Sequence, residues 1–177
     1  MSFETLLETI PSYAKDIKLN LSNVLRQTEL TPQQIWGTAV ACAITGRNAN
    51  LVRVITSEAA QHLSPEALGA AKTAAALMAM NNVYYRFLHL AANDKYATIP
   101  ARLRMQGIRT HGIDQTDFEL FCVGVSAINN CPTCVSSHEK VVREKGLSEE
   151  QIVAAVRIAA VIQAASTVLD EAAVAVA

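Results

Sequence analysis

The segment LSPEALGAAKTAAALM at residues 63–78 recurs 84 positions later as LSEEQIVAAVRIAAVI at residues 147–162. Leu, Ser, Glu and four Ala coincide between the two segments, and the same register continues upstream without a gap. Repetition at a fixed spacing is typical of one structural unit that is used twice. We therefore expect two similar helical halves, at residues 30–90 and 114–174.

Local start signals predict that both halves are helical. The sequence TPQQ at residues 31–34 offers an N-cap, a proline at the first helical position and a capping-box glutamine. SPE at 64–66 and SEEQ at 148–151 are similar, whereas alternating β-branched runs between turns hardly occur. The expected fold is one all-α domain over residues 1–177. Its predicted helices are 2–10, 12–26, 32–45, 48–62, 65–90, 98–107, 116–129, 132–145 and 149–172.

Composition argues against a nucleic-acid or membrane partner. Fifteen Lys and Arg residues nearly balance 16 Asp and Glu, so no charge excess favours binding to anionic polymers or lipid. The opening residues lack the apolar core of a signal peptide. We expect the Ala-rich runs to be broken by Lys72, Arg157, Gln163 and Asp170 before they reach the length of about 18 residues that a membrane span needs. The expectation is a soluble, cytoplasmic protein, and helices that are apolar on several faces favour an oligomer.

The stretch NNCPTCVSSHEK, residues 129–140, distinguishes the second half from the first. Four of the second half's residues have no counterpart of their kind in the first: Cys131, Cys134, His138 and Glu119 fall on Arg47, Asn50, Val54 and Ile35. The fold itself therefore does not require them, and a chemical role becomes the better explanation.

The two cysteines are predicted to lie in the first turn of a helix. Pro132 disfavours a helical conformation at Cys131 and suits the first helical position, so Cys131 becomes the N-cap and Cys134 the third helical residue. Unpaired N–H groups there stabilise a thiolate. His138 shares this helix face and can accept a thiol proton or pair with the thiolate. The pair can also close a disulfide, which permits a cycle of attack, resolution and rereduction by either sulfur.

Other uses of these cysteines fit the sequence less well than a redox dithiol does. A structural zinc site normally needs four ligands, and only one CxxC exists; His138 would be the third ligand and Glu119 or His111 the fourth. Attachment of haem requires a histidine directly after the second cysteine, where Val135 stands. A thioredoxin fold would need flanking strands. A redox dithiol is favoured, with a zinc-stapled scaffold or two buried cysteines as alternatives.

The remaining candidates have simpler interpretations. Cys42 and Cys122 lie in apolar segments and are expected in the core. Glu119 follows Thr116 by three residues and could complete a capping box. In a helical hairpin, Glu119 and His138 would need their side chains or a water to bridge a mismatch of about 6 Å. The other histidines are expected to be structural or exposed: His62, His89 and His111.

The chain resembles the alkyl hydroperoxidase D (AhpD) family, within the wider carboxymuconolactone decarboxylase-like superfamily. The matching segments are YAKDIKLNL (13–21), MNNVYYR (80–86), LRMQGI (103–108), FEL (118–120) and VSAINNCPTCVSSHE (125–139). The resemblance implies a helical homotrimer that acts on hydroperoxides as a thiol peroxidase or electron adaptor, without a bound cofactor. It also implies electrons from dihydrolipoamide on the lipoyl-bearing acyltransferase of an α-keto acid dehydrogenase complex, and transfer to the peroxiredoxin AhpC.

The same resemblance implies roles for individual residues. Cys134 matches the cysteine that is oxidised to sulfenic acid and Cys131 the proton donor and resolving partner, while His138 and Glu119 match a proton relay. Thr133 stands where some members have a histidine, so relay through His138 should dominate. Decarboxylation of a γ-carboxymuconolactone-like acid, known in the superfamily, is the alternative enzymatic function, but it has no evident use for a reversible CxxC.

Overall fold

The computed structural model describes residues 1–175, which contain helices and no strand. The predicted all-α fold is confirmed. The helices are α1 (Phe3–Glu8), α2 (Lys15–Val24), α3 (Pro32–Gly46), α4 (Ala49–Ala59), α5 (Pro65–Ala91), α6 (Asp94–Ala97), α7 (Gln115–Ile128), α8 (Pro132–Glu144) and α9 (Glu149–Ala175). Two short 3-10 turns lie at Ser12–Ala14 and Gln106–Ile108.

Helices α3 and α7 form the centre of the molecule and pack directly against each other, with α5 and α9 against both. Their approach depends on two glycines. A Cβ at Gly37 would overlap the ring of Phe121, and a Cβ at Gly124 would lie 3.0 Å from Sγ of Cys42. Larger residues at either glycine would push the two helices apart, so glycine is needed for this packing.

The predicted caps are present. Thr31 accepts a hydrogen bond from the N–H of Gln34, whose side chain accepts one from the N–H of Thr31, and Ser64 caps α5. The side chains of Gln33 and Gln34 also donate to the carboxylate of Asp117, at 2.7 and 2.8 Å. The start of α3 is thereby tied to the start of α7.

The predicted helix at residues 98–107 is wrong. Pro100 lacks a backbone N–H, and Arg102 adopts a left-handed conformation (φ 52°) that a right-handed helix cannot include. The segment crosses α5 instead, and Gly107 lies so near Leu77 that a Cβ there would come within 3.1 Å of its side chain. Tertiary packing therefore decides this segment's conformation.

We propose that residues 30–90 and 114–174 are the two similar helical halves predicted from the repeat. Helices α5 and α9 support this idea, because they begin at Pro65 and Glu149, 84 residues apart, and each is 27 residues long. The glycine and the ring that meet at the centre, Gly37 and Phe121, are separated by the same 84 positions.

By length and composition alone, the span Glu149–Val174 of α9 contains an 18-residue window that is apolar enough to cross a membrane, so charged residues do not break this run as expected. More than half of the window, 56%, is buried inside the protein, and α9 packs against α2, α3 and α7. A core helix has the same composition, and the packing of α9 accounts for its apolar character.

Candidate active site at the start of α8

The turn between α7 and α8 determines where the cysteines lie. Asn130 adopts a left-handed conformation (φ 52°), which asparagine tolerates better than most residues. Its N–H donates to the carbonyl of Ala127, and the N–H of Cys131 donates to the carbonyl of Ser126, each at 3.2 Å. This is a Schellman motif, which ends α7 and allows the chain to start α8 at once.

The predicted positions of the two cysteines are confirmed. Cys131 is the extended N-cap of α8, Pro132 is the first helical residue and Cys134 the third. Both cysteines are buried and joined by a disulfide, with their Cα atoms 5.3 Å apart, which suits such a bond. The structure therefore represents the oxidised form of the pair.

Glu119 and His138 form a direct contact between α7 and α8. Nδ1 of His138 lies 2.5 Å from Oε2 of Glu119, and the two side chains are only 13% and 7% exposed. No bridging water is needed. The capping-box interpretation of Glu119 is wrong, because the N-cap of α7 is Asp114, which accepts from the N–H of Thr116. That hydrogen bonding to Thr116 lowers the pKa of the Asp114 carboxyl.

Two further residues extend this contact: Gln115, which the sequence did not single out, and His111, which was considered only as an alternative zinc ligand or a structural or exposed histidine. The N–H of Ile113 donates to Nδ1 of His111, which leaves Nε2 of His111 to donate to Oε1 of Gln115 at 2.9 Å. Nε2 of Gln115 in turn donates to Oε1 of Glu119 at 2.6 Å. His111 is held by stacking on Phe118, with ring centroids 4.1 Å apart. The four-residue spacing of Gln115 and Glu119 on α7 was the signal in the sequence for Gln115, whereas His111 precedes the helix and had no such signal.

In the oxidised form, the second imidazole nitrogen of His138 contacts a methionine sulfur and, in the described part of the chain, makes no hydrogen bond to the cysteines. Nε2 lies 3.2 Å from Sδ of Met78, and within residues 1–175 no hydrogen bond joins His138 to Cys131 or Cys134. His138 and Cys134 nevertheless line the same cleft. A group bound in that cleft would contact both side chains.

This cleft has a volume of about 280 Å³ and contains both polar and apolar walls. The irregular segment before α7 supplies two of its residues, Met105 and Ile108, although that segment was predicted to be helical. The complete lining is Asn81, Tyr85, Met105, Ile108, Thr133, Cys134, Ser137 and His138. An organic molecule with one polar end matches these surroundings.

The other cysteines lie in the core, as predicted. Cys42 and Cys122 are fully buried, and burial raises the pKa of both thiols; the nearby charge of Glu119 raises that of Cys122 further. Over the described part of the chain, no group of three or more His, Cys, Asp or Glu side chains is arranged to hold a metal ion.

Comparison with known proteins identifies the family. The model of the carboxymuconolactone decarboxylase family matches residues 94–177. Proteins named alkyl hydroperoxide reductase AhpD are 61% identical in Acidobacterium capsulatum, over 96% of this chain and 93% of the relative, and 59% identical in Solibacter usitatus, over 96% of each. One from Bradyrhizobium sp. is 54% identical over 99% of this chain and 97% of its own.

The chain belongs to the AhpD family. The resemblance stated from the sequence is thereby confirmed over nearly the whole chain. The four residues matched to AhpD site positions, Cys131, Cys134, His138 and Glu119, all lie where α7 meets α8. Their individual roles stay predictions, and the geometry adds Gln115 and His111 behind Glu119.

Proposed function

We propose that this chain is a thiol-dependent alkyl hydroperoxide reductase that uses Cys131 and Cys134 in a dithiol–disulfide cycle. One observation carries the proposal: a disulfide lies in the first turn of α8, next to a His138–Glu119 pair and a cleft that Cys134 lines. The names of the relatives support the same activity.

The cycle begins with the reduced pair. The Cys134 thiolate attacks the terminal oxygen of the hydroperoxide, the O–O bond breaks, and the products are a sulfenic acid and an alkoxide. The alkoxide takes up a proton and leaves as an alcohol. The Cys131 thiol then condenses with the sulfenic acid, which releases water and forms the disulfide. The assignment of the attacking sulfur to Cys134 follows the family pattern, and the position of Cys134 on the cleft supports it.

The surroundings of Cys134 favour this chemistry. As the third helical residue, Cys134 lies among backbone N–H groups that have no partner within the helix, and these groups stabilise a thiolate. His138 is held in place by Glu119, so its imidazole can supply the proton that the alkoxide needs. Since Glu119 also accepts from Gln115, its carboxylate is fixed from two sides.

A small dithiol must reduce the disulfide again to complete the cycle. We propose dihydrolipoamide on the lipoyl-bearing acyltransferase of an α-keto acid dehydrogenase complex as the donor and AhpC as an electron acceptor, both in the cytoplasm. The family likeness is the basis of these partners. The half-exposed apolar walls at Met105 and Ile108 would suit the hydrocarbon arm of a lipoyl group as well as an alkyl hydroperoxide.

We also propose a homotrimer, with the subunit number taken from the family likeness. Val83, Phe87 and Leu90 are 60%, 50% and 72% exposed on α5, and the Tyr96 ring packs beside Phe87. Apolar patches of this kind on a soluble protein commonly mark an interface. Light scattering should give a trimer for the parent protein and a smaller species for Phe87→Glu. An unchanged mass for that variant would show that this patch is not part of the interface.

Decarboxylation remains the competing enzymatic function because the matching family model carries that name. A decarboxylase would not depend on the disulfide. Turnover of a carboxymuconolactone by the Cys131→Ser/Cys134→Ser double variant would favour it, whereas loss of hydroperoxide turnover in the same variant supports the peroxidase.

The decisive experiment for the proposed function compares reductants and variants in one assay. Consumption of cumene hydroperoxide should be faster with dihydrolipoamide than with glutathione or thioredoxin, and Cys134→Ser should abolish it. Cys42→Ser is the matched control, since Cys42 is buried in the core away from the cleft and should not be needed for turnover. Retention of most activity by Cys134→Ser would reject the mechanism.

A further inference from the structure

Asn81 is a buried amide that lacks the hydrogen bonds expected of one. It is only 4% exposed, and its Oδ1 is enclosed without a partner among the described residues. Burying an amide oxygen in this way costs free energy, and native proteins rarely leave such groups unpaired. Exceptions of this kind are concentrated at functional sites. The position of Asn81 therefore needs an explanation other than folding.

The neighbouring residue shows what a structural asparagine looks like on the same helix. Nδ2 of Asn82 donates to Oγ of Ser126 at 3.0 Å, and its Oδ1 accepts from Nδ2 of Asn129 at 2.9 Å. Asn82 thus joins α5 to α7 and to the turn that precedes Cys131. Asn81 makes no comparable side-chain bond within residues 1–175, so the two asparagines differ in role although they are adjacent.

Asn81 also lines the cleft that contains Cys134 and His138. Because Oδ1 of Asn81 is enclosed by the protein, Nδ2 is the amide atom that can donate a hydrogen bond to a molecule in the cleft. An N–H donor beside the attacking thiolate has one clear use in hydroperoxide reduction. Negative charge develops on the carbon-bound oxygen as the O–O bond breaks, and a fixed donor aimed at that charge lowers the barrier.

Other residues that line the cleft are apolar or aromatic. Met105 and Ile108 are half-buried, and Tyr85 contributes an aromatic ring. An alkyl or aryl group would bury apolar surface there, whereas hydrogen peroxide has no group to place against it. The cleft therefore fits a hydroperoxide whose polar end meets Cys134 and Asn81 and whose organic group meets Met105.

We propose that Asn81 is a substrate-contacting catalytic residue, whose Nδ2 donates a hydrogen bond to the carbon-bound oxygen of an organic hydroperoxide. In the step itself, the Cys134 thiolate forms an S–O bond to the terminal OH, the O–O bond breaks, and the alkoxide held by Asn81 takes a proton from His138. Asn81 gains and loses no proton. This inference rests on the proposed peroxidase function.

The test uses Asn81→Leu, which keeps the size of the side chain but removes the amide. The second-order rate of oxidation of the reduced protein by cumene hydroperoxide should fall between about 10- and 100-fold. The midpoint of thermal unfolding should stay the same or rise, because the variant no longer buries an unpaired oxygen. Reduction of the disulfide by dithiothreitol should proceed at the parental rate.

Asn82→Leu is the matched control and should behave in the opposite way. It breaks two hydrogen bonds that join helices and leaves Ser126 and Asn129 without their partner, so its unfolding midpoint should fall. If Asn81→Leu also lowers the midpoint and slows both half-reactions alike, Asn81 is structural and the inference is overturned.

Substrate class is tested with Met105→Gln. This variant should slow oxidation by cumene hydroperoxide several-fold and leave oxidation by hydrogen peroxide unchanged, since only the first places an organic group on that wall. Equal effects on the two peroxides would contradict the proposed orientation.

The outcomes separate this inference from the proposed function. If the parent protein is oxidised by cumene hydroperoxide and Asn81→Leu is oxidised equally fast, only the role of Asn81 is rejected. If the parental thiols do not react with the hydroperoxide, the proposed function fails and the role of Asn81 fails with it.

Discussion

Oε2 of Glu119 lies 2.5 Å from Nδ1 of His138, and this contact joins two successive helices beside the disulfide. With Nδ1 donating to the carboxylate, Nε2 is the nitrogen left to exchange a proton with a bound group. A protonated Nε2 is the group that can pass a proton to an alkoxide in the cleft that His138 lines.

Glu119 and His138 should therefore act as a unit. His138→Gln should lower hydroperoxide turnover by about 10²-fold, because the proton donor is removed. Glu119→Gln should lower it by a smaller factor, since a hydrogen bond is kept but the charge is lost. Steady-state kinetics of the double variant should match His138→Gln alone; multiplication of the two single effects would show that the residues act independently.

The hydrogen bonds that link His111 to Gln115 and Gln115 to Glu119 should affect how firmly the Glu119 carboxylate is held, without taking part in proton transfer. His111→Phe preserves a ring that can stack on Phe118 but removes the bond to Gln115, so the carboxylate of Glu119 becomes less firmly held. We expect turnover to fall by about 2- to 10-fold, a change that corresponds to the net free energy of one hydrogen bond. In a Glu119→Leu background the same substitution should have no further effect on turnover, and a persistent loss there would mean that His111 acts by another route.

Cys42 and Cys122 should stay unreactive in the folded protein. Burial raises the pKa of both thiols, and only a thiolate attacks a disulfide reagent. At pH 8 the Cys131→Ser/Cys134→Ser variant should show almost no reaction with an aromatic disulfide reagent until denaturant is added, and then two thiols per chain. Rapid labelling of the native variant would show that the core opens to the reagent.

The packing of α3 on α7 should be sensitive to a single methyl group. Gly37→Ala places a Cβ against the ring of Phe121 in the centre of the protein. We expect the free energy of unfolding to fall by about 1–3 kcal/mol, as is usual when a packed core is overfilled. Denaturant titration measures this change. Gly69→Ala is a suitable control, because no atom lies within 4 Å of a Cβ built at Gly69, and it should not destabilise the protein.

Local chemistry was enough to predict much of this structure. A proline after Cys131 determines the N-cap, and the position of Cys134 follows from it. The sequence could show only that Glu119 and His138 were near enough to touch. Whether they do depends on how closely α7 and α8 pack.

Other features depend on tertiary contacts that leave little trace in the sequence. The segment around Met105 is irregular because it packs across α5 and contains a left-handed residue, while its local composition resembles a helix. The unpaired burial of Asn81 has no sequence signature, since adjacent Asn82 is the same residue type with a full set of partners. These two features shape the cleft.

The most direct test of the central claim is a single-turnover experiment on the fully reduced protein. One equivalent of cumene hydroperoxide is added, and peptide mapping by mass spectrometry counts the disulfides while chromatography counts the alcohol. The account predicts one Cys131–Cys134 disulfide and one molecule of alcohol for each hydroperoxide consumed. Thiols that survive unchanged, or alcohol formed without this disulfide, would contradict it.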